Sequence, residues 1–486
     1  MRRSRRSTCR RCRGGGGRDA APAGGGRRAA AQADGCDRRH EPRDAGTCPR
    51  LWLRRRSRAD AGRREAAPAH PPCRRADPGR IQPNARLVFE AGHSHRGAAR
   101  SAQPFKRCEV TMDFVTVEGR TLRDALKPLL EVARTRKTIP VMGHVRLDFD
   151  GASLRLTAND LDVEAVTVVD AIDGAGEWSI CLPARELGGI ARVAGPMPVR
   201  IEPGGGEAGH VATIRLGDGE AVYTLGQLPA SDFPGRVATP GKVIERFGNG
   251  LLAECLAKVA AYVSAEETRY YLNGVCWHGG PKGLRFVATD GHRLACCRYD
   301  AEPCERPARI IPRQTVALIL RHMAGADVTV RDDAGGRLSL VFESAGLTLR
   351  SKLIDGAFPD FDRVIPQPGP FTLALKRADM LAAIDRLGVF GRSAFSWKVK
   401  LWGEAGRLAL SRRDDGGAVT VRTASDWPPA TAGADLPPIG VNGRYLADML
   451  RDCAGEASLA LTGPSDPFLI RDTDERMTRV LMPMRV

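Results

Sequence analysis

The chain has 486 residues, which is enough for about three domains. Of its 74 Lys and Arg, 28 lie in the first 111 residues together with only 10 of the 57 Asp and Glu, which leaves 46 basic and 47 acidic residues beyond them. The net charge of +17 therefore says nothing about nucleic-acid binding by the larger part of the chain. No apolar run approaches the roughly 18 residues of a membrane helix, so a membrane partner is not expected.

Residues 1–111 are rich in Arg, Ala, Gly and Pro and lack the apolar periodicity of helices or strands. This composition predicts a disordered basic extension. Two interpretations of it stay open. The extension is either an arm that contacts phosphates without sequence preference, or the product of a start codon assigned too far upstream, since the next methionine is Met112. We favour the second.

Seven cysteines follow the extension, and their spacing resembles no metal site: Cys181, Cys255, Cys276, Cys296, Cys297, Cys304 and Cys453. An odd number of scattered thiols is typical of a reduced protein. The sequence thus predicts a cytoplasmic protein without metal or cofactor.

A pattern occurs three times after Met112. Short apolar segments run into Asp at 154–160, 284–290 and 408–414, and each is followed by a predicted helix that stops near a glycine. The glycines are residues 195, 325 and 455, at two equal spacings of 130, as helix C-caps would be. Three occurrences in the same order indicate a threefold internal repeat.

Each repeat opens with an amphipathic helix, whose apolar face includes Leu122, Leu126 and Leu129 in the first, Leu252 and Leu256 in the second. Alternating segments between the helices predict antiparallel strands, so the fold class is α+β. The predicted domains are 112–235, 240–366 and 370–486.

The predicted helices carry more basic than acidic residues on their polar sides, including the pair Arg185 and Arg192 in the first repeat. Charge gathered on one face would neutralise phosphates without reading bases. The alternative is a set of ordinary solvated helix faces.

Several longer strings identify a resemblance: residues 228–234, 269–274, 288–295, 351–356, 358–361 and 482–486. On these strings the chain, from Met112 onward, resembles the beta subunit of bacterial DNA polymerase III, the sliding clamp family. The resemblance implies a DNA clamp fold of three repeated domains, each with two helices packed on antiparallel sheet, closing into a ring as a head-to-tail homodimer. It implies a processivity factor without enzymatic activity or cofactor that encircles double-stranded DNA. The implied partners are the catalytic subunit of the replicative DNA polymerase, the clamp loader and other proteins with a clamp-binding motif.

The resemblance and the basic helices together give three sets of candidate residues. The DNA-binding candidates are Arg136, Lys137, Arg185, Arg192, Tyr270, Tyr271, Arg313, Arg321, Arg444 and Arg451. The candidates for binding a partner peptide between the second and third repeats are Leu272, Thr289, Gly291, His292, Arg293, Leu294, Pro359, Arg363, Val364, Asn442, Tyr445, Val480, Met482, Pro483, Met484 and Arg485. The dimer candidates are Tyr223 and Leu225 against Val389 and Phe390. The Tyr270 and Tyr271 pair could equally be cross-strand packing.

Three positions depart from the family pattern. Val486 stands where the family usually ends in leucine, Asp466 lies near a pocket position that is often serine, and the region around Phe395 strays from the usual run. Asp466 is expected to disfavour acidic peptides.

Two other classes of function compete with this one. One is an enzyme built on Asp290, His292 and Arg293 with Cys296 or Cys297 as nucleophile, which the lack of a matching histidine in the other repeats argues against. The other is a single-site DNA-binding protein that acts through the basic extension.

Overall fold

The structure is a computed structural model that describes residues 112–133, 139–204, 210–234, 240–299, 302–333, 338–390, 397–414, 417–427 and 436–485. The predictions for residues 1–111, Arg136, Lys137, Phe395 and Val486 fall outside the described residues, as does the side chain of Phe390.

The described residues form antiparallel strands with one pair of helices in each of three repeats. The first repeat contains β1 (Phe114–Glu118), α1 (Gly119–Ala133), β2 (His144–Phe149), β3 (Ser153–Asn159), β4 (Val163–Asp170), β5 (Asp173–Ala175), β6 (Trp178–Pro183), α2 (Ala184–Ala194), β7 (Pro198–Glu202), β8 (Val211–Leu216), β9 (Ala221–Gly226) and β10 (Leu228–Pro229). The second contains β11 (Pro240–Phe247), α3 (Leu251–Ala260), β12 (Gly274–Gly280), β13 (Gly283–Thr289), β14 (Arg293–Arg298), β15 (Arg306–Pro312), α4 (Arg313–His322), β16 (Val328–Asp333), β17 (Ser339–Ser344) and β18 (Leu347–Lys352). The third contains β19 (Phe371–Leu375), α5 (Arg377–Leu387), β20 (Lys398–Glu404), β21 (Arg407–Asp414), β22 (Gly417–Asp426), β23 (Ile439–Asn442), α6 (Gly443–Arg451), β24 (Ala457–Leu461), β25 (Phe468–Arg471) and β26 (Met477–Leu481).

The opening helices form because their apolar side chains recur with helical spacing and find a sheet to cover. Leu122, Leu126 and Leu129 of α1 are fully buried against β3 and β4, and Met380 and Ile384 of α5 are buried in the same way in the third repeat. The two helices of each repeat also pack on one another. This is the α+β layer arrangement that the sequence predicts. Among the described residues, no helix combines the length and apolar character of a membrane span.

The three repeated glycines only partly behave as predicted. Gly195 is the C-cap of α2 with a φ of 59°, which a residue without Cβ adopts at little cost. Gly325 and Gly455 also have positive φ, but α4 and α6 end earlier, at C-caps Met323 and Asp452. The C-cap prediction is therefore wrong for these two, because the chain leaves helical geometry before it reaches the glycine and uses the glycine in the following turn.

Two sheets run across the boundaries between repeats. The strand orders of the four sheets are β5-β1-β7-β8-β9, β10-β6-β2-β3-β4-β18-β17-β16-β11, β15-β12-β13-β14-β26-β25-β24-β19 and β22-β21-β20-β23. Strand β4 of the first repeat pairs with β18 of the second, and β14 of the second pairs with β26 of the third. Strand β22 occupies the position of β4 and β14 in the third repeat, and β9 occupies the position of β18 and β26 in the first repeat. Both lie at sheet edges within the described part of the chain.

A buried ionic cluster crosses the boundary between the first and second repeats. The Arg350 Nη1 donates to Glu164 Oε1 at 2.7 Å, and the Arg350 Nε lies 3.5 Å from Asp333 Oδ2. All three side chains are less than a tenth exposed. Such a cluster is costly to desolvate, and it is stable only while each charge keeps its partner.

Replacing Arg350 with methionine should therefore destabilise the protein strongly, because it leaves two buried carboxylates without their cation. We expect Arg350→Met to lower the free energy of unfolding by about 3–5 kcal/mol, as breaking a buried ion pair does. Glu164→Gln should cost about 1–3 kcal/mol, because Arg350 keeps Asp333. Urea unfolding measures both; equal costs for the two variants would contradict this account.

Candidate functional sites

Six of the candidate DNA-binding arginines lie on the second helix of each repeat. Arg185 and Arg192 are seven residues apart on α2, as Arg444 and Arg451 are on α6, so each pair shares one helix face. All six are exposed: Arg185, Arg192, Arg313, Arg321, Arg444 and Arg451. The sequence prediction of basic residues on solvent-facing helix surfaces thus agrees with their placement.

Two of these arginines form ion pairs, one with a neighbouring helix and one within its own helix. Arg321 of α4 pairs with Glu131 of α1 across the boundary between repeats, where His322 Nε2 also lies 3.2 Å from Glu131 Oε1. The Arg451 Nη1 lies 2.9 Å from Asp448 Oδ1 on its own helix. These ion pairs reduce the charge that Arg321 and Arg451 can offer to a ligand.

The other four make no side-chain ion pair with a described residue: Arg185, Arg192, Arg313 and Arg444. Their positive charge is therefore available to solvent and to anions.

The tyrosine pair lies in a short 3-10 helix, Glu267–Leu272, and not on a strand. The alternative of cross-strand packing is therefore wrong. Tyr270 is 54% exposed, and its ring meets that of Tyr271 edge to face at a centroid distance of 5.9 Å. Tyr270 therefore presents an aromatic surface to solvent, and its ring packs against that of Tyr271.

The turn after β13 is organised by Asp290. Its Oδ1 accepts the backbone N–H groups of His292 and Arg293, both at 2.9 Å. Thr289 Oγ1 donates to the Arg293 carbonyl at 2.8 Å and accepts the Gly291 N–H at 3.1 Å. Asp290 is thus a turn former in the second repeat, and in the first repeat Asp160 likewise accepts the N–H of Val163 at 2.7 Å.

Arg293 is held inside the boundary between the second and third repeats. Its guanidinium lies 4.5 Å from the ring centroid of Tyr445 and 5.1 Å from that of Tyr262. Its nitrogens also donate to Asp448 at 3.4 Å and to the Ala261 carbonyl at 2.9 Å. With its side chain only 12% exposed, Arg293 fixes α6 against the second repeat and so positions Tyr445.

The neighbouring residues Leu294 and Val480 face the other side of the sheet. They are directly opposed on β14 and β26 and belong to a separate apolar cluster with Phe361, Cys276, Val287, Cys296, Ala460 and Leu469, which we call the outer cluster. Phe361 opens a 3-10 helix, Phe361–Arg363, and Phe358 and Ile365 also pack on the cluster, so the chain segment that contains Pro359, Arg363 and Val364 runs along it.

The C-terminal segment runs along the edge of this region. The Met482 N–H donates to the His292 carbonyl at 2.9 Å, and the Met484 N–H donates to the Gly440 carbonyl at 2.8 Å. The residues Met482 to Met484 are only partly buried, which leaves apolar surface accessible.

Tyr445 is placed beside this segment by its helix. Asn442 is the N-cap of α6, accepting the N–H groups of Arg444 and Tyr445. The rings of His292 and Tyr445 then stack at 6.0 Å.

The candidate peptide-binding residues therefore lie on adjoining elements of the second and third repeats, around the central strands β14 and β26 of the eight-stranded sheet. Sequence reasoning missed Tyr262, Asp448 and Phe361 as members of this region. A signal existed only for Phe361, which stands in the string 358–361 that carries the family resemblance.

The dimer candidates lie in the first and third repeats, on β9 and directly after α5. Tyr223 and Leu225 on β9 are half-buried against the core of their own repeat. Val389 is 81% exposed, which is unusual for a valine.

The alternative of a catalytic cysteine has no support in the geometry. Cys296 and Cys297 are buried, and burial raises the pKa of Cys296 to about 12. Asp290 is engaged in its turn. Within the described ranges, no group of three or more His, Cys, Asp or Glu is placed to hold a metal.

Comparisons with known proteins agree with this picture. Residues 112–237 match the family described as the DNA polymerase III beta subunit, N-terminal domain, and residues 248–360 match its central domain. The Beta sliding clamp of Caulobacter vibrioides is 35% identical over 386 residues, covering 76% of this chain and all of the relative. The Beta sliding clamp of Escherichia coli K12 is 28% identical over 369 residues, covering 74% of this chain and 97% of the relative.

A solved structure gives the same result. A sliding clamp from Bartonella birtlesii bound to griselimycin, 30% identical, superposes with a TM-score of 0.69 over 77% of this chain and all of its own. The chain therefore belongs to the family of the DNA polymerase III beta subunit, the bacterial beta sliding clamps.

Proposed function

We propose that two copies of this chain close head to tail into a ring around duplex DNA. The supporting observation is the way in which repeats join: the fourth strand of one repeat pairs with the third strand after the second helix of the next repeat, at β4–β18 and at β14–β26. Within one chain, β22 of the third repeat and β9 of the first repeat have no neighbouring repeat to pair with, and each is the outer strand of its sheet. Pairing β22 of one protomer with β9 of its partner applies the same rule twice more and closes six repeats.

The open edges fit this role physically. An exposed strand edge offers unpaired N–H and C=O groups to another chain. The four-stranded and five-stranded sheets that end at β22 and β9 would together form a nine-stranded sheet, as large as the one that joins the first two repeats. Val389, next to the four-stranded sheet, then becomes buried against the partner near Tyr223 and Leu225.

The ring binds DNA through the exposed arginines of α2, α4 and α6. Tyr270 and Tyr271, in the 3-10 helix Glu267–Leu272, make a further contact with the nucleic acid. Contacts to phosphates carry no sequence information, so the energy changes little as the duplex moves through the ring. Retention comes from closure and needs no catalytic step and no cofactor. The four arginines without an ion pair to a described residue carry most of the attraction.

The surface between the second and third repeats binds a short peptide of partner proteins. Leu294 and Val480 of the outer cluster, 3% and 1% exposed, form the apolar floor and anchor of this surface, and the partly buried methionines at 482 and 484 can adapt to different side chains. His292, Arg363 and Arg485 border it as polar groups. The replicative polymerase, the clamp loader and other proteins with this peptide are the partners, in the cytoplasm.

Val389→Asp tests ring closure. Burying an unpaired charge should weaken the dimer by about 100-fold, equivalent to about 2.7 kcal/mol. Sedimentation should show protomers, and the variant should no longer stay on nicked circular DNA, whereas linearising the circle should release the natural protein. Ile172→Asp changes another exposed aliphatic residue and should leave the dimer intact. A Val389→Asp dimer of normal affinity would contradict the closure proposed.

Removing the unpaired helix arginines tests the DNA surface. The variant with glutamine at 185, 192, 313 and 444 should bind DNA more weakly, and the slope of log affinity against log salt should fall by up to about 0.9 for each phosphate that is no longer neutralised. Glutamine at four exposed basic residues of strands, Arg155, Arg246, Lys398 and Arg471, removes the same charge and is the matched control. Equal reductions in the two variants would show that only net charge matters.

Deleting residues 482–486 tests the docking surface. A labelled peptide of Gln, Leu and Phe residues should lose at least about tenfold in affinity, because the flexible apolar edge of its site is gone. The dimer should persist, since the deletion leaves β26 in place. Unchanged peptide affinity would place the docking surface elsewhere.

A further inference from the structure

The two strand ladders that join the repeats share one register. At the first boundary Glu164, the second residue of β4, lies opposite Arg350, the fourth residue of β18. At the second boundary Leu294, the second residue of β14, lies opposite Val480, the fourth residue of β26. The same strand positions therefore meet in both ladders, although their side chains differ.

The strands at the two free edges hold the same positions in their own repeats, so this register extends to them. The second residue of β22 is Ala418, and the fourth residue of β9 is Thr224. The hairpin that leads into β22 also matches its counterpart, because Ala418 pairs with Arg413 as Leu294 pairs with Thr289. The shared register thus places Ala418 opposite Thr224 when β22 and β9 come from two copies of the chain.

The exposure of the side chains supports this register independently. Val419 of β22 is half-buried against the core of its repeat and stands between two exposed residues. Tyr223 of β9 has the same surroundings in its own repeat. The shared register places Val419 opposite Tyr223, so the half-buried side chains meet on the inner face and the exposed ones meet on the outer face. A shift by one residue would oppose inner side chains to outer ones.

The composition of the two edges indicates that they pair with each other. Residues 418–421 of β22 and 221–224 of β9 contain no charged side chain. Edge strands that stay unpaired usually carry charges that prevent association with another chain. Uncharged edges can pair without burying an unmatched charge, which would be costly. A second copy of the chain supplies the missing strand to each edge.

We propose that β22 of one copy pairs with β9 of the other in a single register, in which Ala418 lies opposite the partner's Thr224 and Val419 lies opposite the partner's Tyr223. The proposal rests on the ring closure proposed above and specifies its contacts.

The pair at Ala418 differs in chemistry from its two counterparts. Its counterpart at the first boundary is the buried ion pair of Arg350 with Glu164, and its counterpart at the second boundary belongs to the outer cluster. Ala418 and Thr224 are small and uncharged. The contact between copies is therefore held at this position by the backbone ladder, with the apolar side chains of the inner face beside it.

Disulfide cross-linking of the full chain tests the register. In the variant Ala418→Cys with Thr224→Cys, oxidation by diamide should link the two copies, since two thiols form one disulfide while diamide takes up the two hydrogen atoms. Directly opposed strand residues have Cα atoms about 4.5–5.5 Å apart, within the roughly 4.4–6.8 Å that a disulfide spans. A non-reducing gel should show a covalent dimer that reduction returns to the protomer.

The variant Ala418→Cys with Val222→Cys is the matched control. The proposed register separates these two positions diagonally by about 7–8 Å, beyond the reach of a disulfide, so the covalent dimer should be at least about fivefold less abundant. The two single variants Ala418→Cys and Thr224→Cys measure the background from the native cysteines.

Two results overturn the register while ring closure stands: equal or stronger cross-linking of the control, and no cross-linking at 418 and 224 in a protein that sediments as a dimer. Sedimentation of the natural protein distinguishes the two proposals. A protomer that does not associate overturns ring closure, and the register with it.

Discussion

The antiparallel ladder between neighbouring repeats is the interaction on which the rest of the structure depends. A strand at a sheet edge leaves backbone donors and acceptors without partners, and here each repeat satisfies one edge with the next repeat. The ladders β4–β18 and β14–β26 turn three separate units into one protomer. They also fix which helix faces stand side by side.

Charged groups at these boundaries specify the register. Arg350 with Glu164 and Asp333 at the first boundary, and Arg293 with Asp290 and Asp448 at the second, are ion pairs with little solvent contact. A slip of one residue in either ladder would separate the strand residues Arg350 and Arg293 from their carboxylate partners and leave a charge buried alone. The charges thus supply specificity, and the buried apolar surface supplies the driving force.

Much of this architecture can be read from the sequence, and the limits have physical causes. Periodicity identified the opening helices because their buried leucines recur every three or four residues, whether or not tertiary partners are known. It could not locate the ends of α4 and α6, because the glycines at 325 and 455 serve turns that follow the helices. The Asp at the end of each repeated segment is visible as a pattern, but the role of Asp160 and Asp290 as turn formers depends on backbone geometry.

The pair of Leu294 and Val480 has two structural roles. It belongs to the strand ladder that joins the second and third repeats, and it belongs to the outer cluster. The second repeat contributes Leu294 and the third contributes Val480, so the proposed apolar anchor needs both repeats. A protomer in which this joint has come apart, through damage or incomplete folding, has no anchor to offer. On the docking surface proposed above, partner binding would therefore depend on an intact joint between the second and third repeats.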